Sequence, residues 1–234
     1  MKKITINNFD YNVPETWMDV RLNQFLKIKE VEDNIDQIDF YDYTLTQLAA
    51  LLNCSFELLE NLTPEQIGYI SASLPAITNS DIFEVTSRGI ILNGEPFIFD
   101  PNPEKMILGM FIDLELFTQD NKIWENAHKI AAAFWRSPKE KIGAFDKARL
   151  KLRKKINFDK YTPEEYNSAH AQINADYFKD NMPMPYIYTA VVFFCVLRNK
   201  YNQFMLRSLK VKEAKEKKKA NGTTTNANGT GTQQ

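Results

Sequence analysis

Residues 88–117, RGIILNGEPFIFDPNPEKMILGMFIDLELF, decide the fold, because the chain has already used the same pattern once. Ile90, Ile91 and Leu92 lead into Asn93-Gly94, and Phe97, Ile98 and Phe99 lead out of it. Asn-Gly between two short apolar runs is a strong hairpin signal, since both turn residues need positive φ. A displacement of 86 positions lays this stretch without a gap on the start of the sequence. Ile4 then falls on Ile90, Tyr11 on Phe97, Val13 on Phe99, Leu22 on Leu108 and Phe25 on Phe111. Asn7-Asn8 takes the place of the turn pair, a weaker version because Asn tolerates the left-handed region less well than Gly.

A proline-containing bend follows each hairpin, at Pro14 in the first copy and at Pro101 and Pro103 in the second. Apolar residues at helical spacing come next: Trp17, Val20, Leu22, Phe25 and Leu26, then Met106, Leu108, Phe111 and Ile112. The first copy continues with an expected helix over 19–31, an acidic loop over 30–42, and a capping box from Thr44 to Gln47. That box opens a helix through Leu45, Leu48, Ala49, Leu51 and Leu52. Ser55 is placed to cap a short helix, and Thr63 with Gln66 forms a second box with Pro64 at the first helical position. That helix is expected to run towards Leu74 and to stop at Pro75. The second copy repeats the order, with a helix over 124–135 and a cap-plus-proline signal at Ser137 and Pro138. The fold class is therefore α+β and mainly helical, with two hairpin-plus-helices units over 1–80 and 81–209. The second unit has added C-terminal helices, one opening at Thr162 and the last covering the apolar stretch 186–206. From Lys210 the composition turns lysine-rich and then Asn/Gly/Thr-rich, so residues 210–234 are expected to form a disordered tail.

At 234 residues and 44% hydrophobic content the chain can bury a sizeable core. Residues 1–100 hold 6 Lys and Arg against 16 Asp and Glu, whereas residues 101–234 hold 23 against 14. An acidic front and a basic back suit the docking of like chains or of a charged partner, and equally an uneven distribution of solvated charge. Cys54 and Cys195 lie far apart in apolar contexts, which implies no disulfide framework. The apolar run 186–197 is too short for a membrane span of about 20 residues.

No catalytic signature is present: the two histidines share no motif with a Ser or Cys nucleophile, and no glycine-rich phosphate loop occurs. Glu125 and His128 have the spacing of a di-iron pair, but His170 has Asn167 three residues before it, so no metal and no cofactor are expected. Lys147, Arg149, Lys151, Arg153, Lys154 and Lys155 form the candidate partner-binding basic face. A solvated helix face and a phosphate-contacting surface are the other readings of this run. The pI of 6.2 and the acidic first half argue against dedicated nucleic-acid binding, which would show affinity falling steeply with salt.

The order of features resembles a known family. The segment NVPETWMDVRLNQFLKI, the LAALL helix, NGEPFIFD, MFIDLEL and AAAFWR before a proline turn are similar to proteins encoded among the head and tail genes of tailed phages, notably phages of Bacteroidetes. The resemblance covers roughly residues 4–194. It implies a non-enzymatic tail assembly chaperone that binds the tape-measure protein in the host-cell cytoplasm; the alternatives are a structural virion component near the portal or tail and a nucleic-acid-binding module. Many such chaperones are shorter than this chain, and some are extended through a ribosomal frameshift. Lys217, Lys218 and Lys219 mark a place where a run of adenines would allow one.

Overall fold

The computed structural model describes residues 1–6, 9–34, 39–72, 82, 85–103, 106–143, 146, 149 and 156–222. Two antiparallel hairpins anchor the two copies. Strands β1 (Lys2–Ile6) and β2 (Phe9–Val13) pair with Ile4 opposite Tyr11, and β3 (Gly89–Leu92) and β4 (Glu95–Phe99) pair with Ile90 opposite Phe97. Both registers thus agree with the displacement of 86 read in the sequence. Asn93 (φ 50°) and Gly94 (φ 88°) adopt the positive angles that the tight turn demands. The Asn7-Asn8 turn lies outside the described residues.

The helices after the two hairpins also begin in register: α1 spans Leu22–Asp33, and its counterpart, numbered α5 below, starts at Leu108. Trp17–Asp19 forms a separate 3-10 turn, so the first helix starts three residues later than the expected 19–31. Helix α2 covers Phe40–Leu52, which corrects two expectations. Asp39 caps it by accepting from the Asp42 amide at 2.9 Å, so Thr44 lies inside the helix and opens nothing. An aspartate upstream supplies the cap, and residues 30–33 and 40–42 of the expected acidic loop are helical. Helices α3 (Phe56–Glu60) and α4 (Pro64–Ala72) follow; Ser55 stands at the N-cap of α3, as expected, but its side chain makes no capping hydrogen bond. At the start of α4 the box is complete, with the Thr63 amide donating to Gln66 Oε1 at 2.9 Å and the Gln66 amide donating to Thr63 Oγ1 at 3.3 Å. The expected stop at Pro75 lies outside the described residues.

In the second copy α5 (Leu108–Phe117) packs on α6 (Ala127–Phe134), where every residue except Lys129 is buried. Here the copies part. Helix α2 ends on Asn53, held in the left-handed region at φ 52°, and the chain turns into α3. The similar segment of the second copy ends α6 at Phe134 and then runs extended, so Trp135–Arg136 become β5 and pair with β4. The expected helix over 124–135 is therefore shorter at both ends. Arg136 fixes the difference: its guanidinium pairs with buried Asp100 at 2.5 Å and donates to the Glu164 carbonyl at 2.7 Å. The expected short helix after Ser137 is also absent. Pro138 bridges Pro163 instead, with Lys139 donating to the Thr162 carbonyl and Glu164 to the Ser137 carbonyl, both at 2.8 Å.

That pairing keeps the chain extended through Thr162, so the expected helix start there moves to α7 (Ser168–Asn181), capped by Asn167 accepting from the His170 amide at 3.0 Å. Helix α8 runs over Met184–Gly222, with Pro185 in its first turn, where a missing N–H costs nothing. Its backbone stays helical past Lys210, in keeping with the Ala, Glu and Lys of that stretch, and residues 223–234 lie outside the described residues. Met1–Val192 is one compact unit and Phe193–Gln234 another. In the first, α6 packs on α7, α1 on α2 and α7, and β2 on α2. Trp17, Phe25, Trp124 and Tyr188 join the two copies edge to face and then by stacking, with successive ring centroids 6.3, 5.1 and 5.9 Å apart. Met184, Ile187, Ala190 and Val191 are buried, the Met184 amide donates to the Val20 carbonyl at 2.9 Å, and Trp135 Nε1 donates to the Tyr186 carbonyl at 3.1 Å. Among the described residues, no helix is long and apolar enough to cross a membrane.

Candidate functional site

Of the six residues of the basic run, Arg149 is described, exposed and on helical backbone; Lys147, Lys151, Arg153, Lys154 and Lys155 lie outside the described residues. The entry to the run is held firmly. Asp146 is buried, accepts from the Tyr161 hydroxyl at 2.6 Å and pairs with Lys160. Lys160, and then the Tyr161 hydrogen bond, hold the Asp146 carboxyl below its ordinary range. Tyr161 joins Ile98 and Ile142 in a small apolar cluster, against which Ile156 and Phe158 also pack.

His128 and Glu125 do not form a metal pair. Glu125 sits in the turn before α6, whereas His128 is buried within the helix with no hydrogen-bond partner at Nδ1. Burial, followed by the charges of Lys129 and Lys179, lowers the His128 pKa to about 4. Among the described residues no group of three or more His, Cys, Asp or Glu converges to hold a metal ion. Cys54 and Cys195 are free thiols, and burial raises the pKa of each. A wide cleft of about 630 Å³ lies beside the first hairpin and α1. Its charged lining is engaged internally: Thr5 donates to Asp10, Arg21 to the Met18 carbonyl, and Asn23 to Asp180.

The feature that stands out is α5. Met110 and Leu114 are buried, but Leu108 is 73% exposed, Ile112 49% and Leu116 53%, and Ile107 at the cap is also exposed. The sequence places Leu108 and Ile112 in the apolar pattern at helical spacing, and the structure puts both on the surface. In a helix with a period of 3.6 residues, an i, i+4, i+8 row lies within an arc of about 80°, so the three side chains form one continuous stripe. Helix α5 has apolar residues on two opposite faces, Met110 and Leu114 on one and Leu108, Ile112 and Leu116 on the other, so its pattern does not say which is buried. With Ile107 at the cap, these side chains expose apolar area on the order of 400 Å², the size of the largest patch on an ordinary monomer, which is often a functional one. The signal in the sequence was apolar residues on opposite sides of the helix: within Leu108–Phe117 the charged residues are Asp113 and Glu115 alone, and Glu115, seven residues after Leu108, borders the stripe. Asp113 accepts from the Tyr166 hydroxyl at 2.6 Å, and burial with that carboxylate pushes the phenol pKa up.

No family model matches this chain, nor does any curated protein or solved structure.

Proposed function

We propose that the chain acts by binding another protein rather than by catalysis, as a phage assembly protein, and in particular as a tail assembly chaperone for the tape-measure protein. The open apolar face of α5 carries this reading. A long helical client has its own apolar stripe to shield before assembly, and a solvent-facing helix stripe is a surface on which such a segment docks. The resemblance of residues 4–194 to products of phage tail genes supplies the setting, the host-cell cytoplasm during particle assembly. Co-expression with the tape-measure protein of the same phage tests it: the client should stay in the soluble fraction with this chain and precipitate without it. Mass spectrometry of purified particles separates the second reading. A chaperone is absent from them, whereas a structural component near the portal or tail is present in fixed copy number. The gene adds a further test, since a slippery adenine run over Lys217, Lys218 and Lys219 with an overlapping open frame would favour the chaperone.

A further inference from the structure

We infer that the bare face of α5 seats an α-helix of a partner protein, one with apolar residues at i, i+4 and i+8 and lysine or arginine beside them. The inference rests on the protein-binding reading above and gives that partner its chemistry.

The duplication supplies the reason for a helix. Leu22 of α1 occupies the position of Leu108, yet Leu22 is fully buried. The two helices share their inner partner, since α1 packs on α2 as α5 packs on α6. Helix α1 has a second neighbour, α7, to which it is tied by Asn23 Nδ2 donating to Asp180 Oδ1 at 2.7 Å. In the first copy the motif is thus flanked by a helix, and in the second the equivalent leucine faces solvent. Gly109 lies beside the stripe, and a Cβ built there meets nothing within 4 Å. The internal packing of the chain does not require glycine at this position, and its absent side chain lets another backbone approach closely.

Charge selects the partner's flanks. Between Met106 and Asn121 the chain carries Asp113, Glu115 and Asp120 and no lysine or arginine; Lys122 follows, and Lys129 lies over the Phe117 ring on the far side of the helix. A lysine-flanked helix complements this edge and a glutamate-flanked one is repelled by it. A second copy of the chain fits worse. An isologous contact would set Glu115 against carboxylates of its own kind.

The test uses the full chain and two fluorescein-labelled 18-residue synthetic helical peptides, each with leucine at i, i+4 and i+8, one flanked by lysine and the other by glutamate. Fluorescence anisotropy should show the lysine peptide binding at least fivefold more tightly. Ile112→Asp, at a solvent-exposed position, should weaken it at least tenfold with an unchanged circular dichroism spectrum, and Glu115→Lys should reverse the preference between peptides. Equal binding of both peptides, or equal binding by wild type and Ile112→Asp, overturns the inference. So does sedimentation showing a wild-type dimer that Ile112→Asp converts to monomer, because a second copy would then cover the face. The tape-measure protein separates the two levels. If it still co-purifies with Ile112→Asp, the helix seat is wrong and the chaperone reading stands; if the lysine peptide binds as described and the tape-measure protein does not, the seat stands without that client.

Discussion

Acidification from pH 7 to pH 5 should cost this protein about 2 kcal/mol through one side chain, His128, by the linkage between its folded and unfolded pKa values. An unfolded histidine titrates near ~6.5, whereas burial in α6 brings His128 down to about 4. Lys129 on the same helix and Lys179 on α7 oppose the imidazolium, and Asp176 on α7 together with the Glu125 carbonyl favours it without offsetting them. Between those two values the unfolded chain binds a proton that the folded chain does not. Stability is therefore full above the unfolded value and falls as the pH drops towards the folded one. Each pH unit in that window is worth about 1.4 kcal/mol, which gives about 2 kcal/mol at pH 5 and about 3 kcal/mol below pH 4. The assay is urea unfolding at pH 7, 6 and 5 for wild type and His128→Leu. The difference between the two proteins isolates this residue from the carboxylates and from the exposed His170. A difference that changes by less than about 0.5 kcal/mol over the window, or an NMR titration of His128 near its ordinary value, would refute the reasoning.

Arg136→Met should destabilise the fold by about 3–5 kcal/mol, because it leaves Asp100 buried and uncompensated; a loss below about 1 kcal/mol in chemical denaturation would show that water reaches Asp100. Leu114→Ala on the inner face of α5 should cost about 2–5 kcal/mol, whereas Leu116→Ala on the outer face should stay within about 0.5 kcal/mol; equal losses would mean that the two faces are wrongly assigned. Gly89→Ala should cost about 1–3 kcal/mol by overpacking, because its Cβ would lie 2.0 Å from Cγ of the Phe158 ring. Adding Phe158→Ala should recover part of that loss, and strictly additive losses would place the ring elsewhere.

What the sequence conveyed well was local and repeated. Asn93-Gly94 needs nothing beyond its own backbone to turn, and the displacement of 86 carries both the strand register and the helix starts, because each depends on neighbours a few residues away. Capping motifs were less secure. The Thr63 and Gln66 box forms, but Thr44 falls inside a helix capped further upstream, and Ser137 and Thr162 are drawn into extended pairing with each other's segments. A cap acts only where the backbone is free to start a helix, and distant strand partners removed that freedom. Trp135 shows the same effect, since its helical pattern yields to pairing with Phe99 across β4 and β5. The exposed face of α5 was not legible for a different reason: apolar residues on two opposite sides leave the choice of buried face to tertiary packing, and periodicity cannot express that choice.

The third strand beside the second hairpin has a consequence for motion. Strand β4 lies between β3 and β5, and its Ile98 is fully buried, whereas among the described residues the first hairpin pairs only with itself. Amide hydrogens on β4 can exchange with solvent only when its pairing with two neighbours and the packing around Asp100 give way. Those on β1 and β2 need only the hairpin to part from α2. Exchange from the first hairpin should follow a local opening of low free energy, and exchange from β4 should approach the free energy of unfolding the whole unit. One duplicated motif would then keep two different times within a single chain.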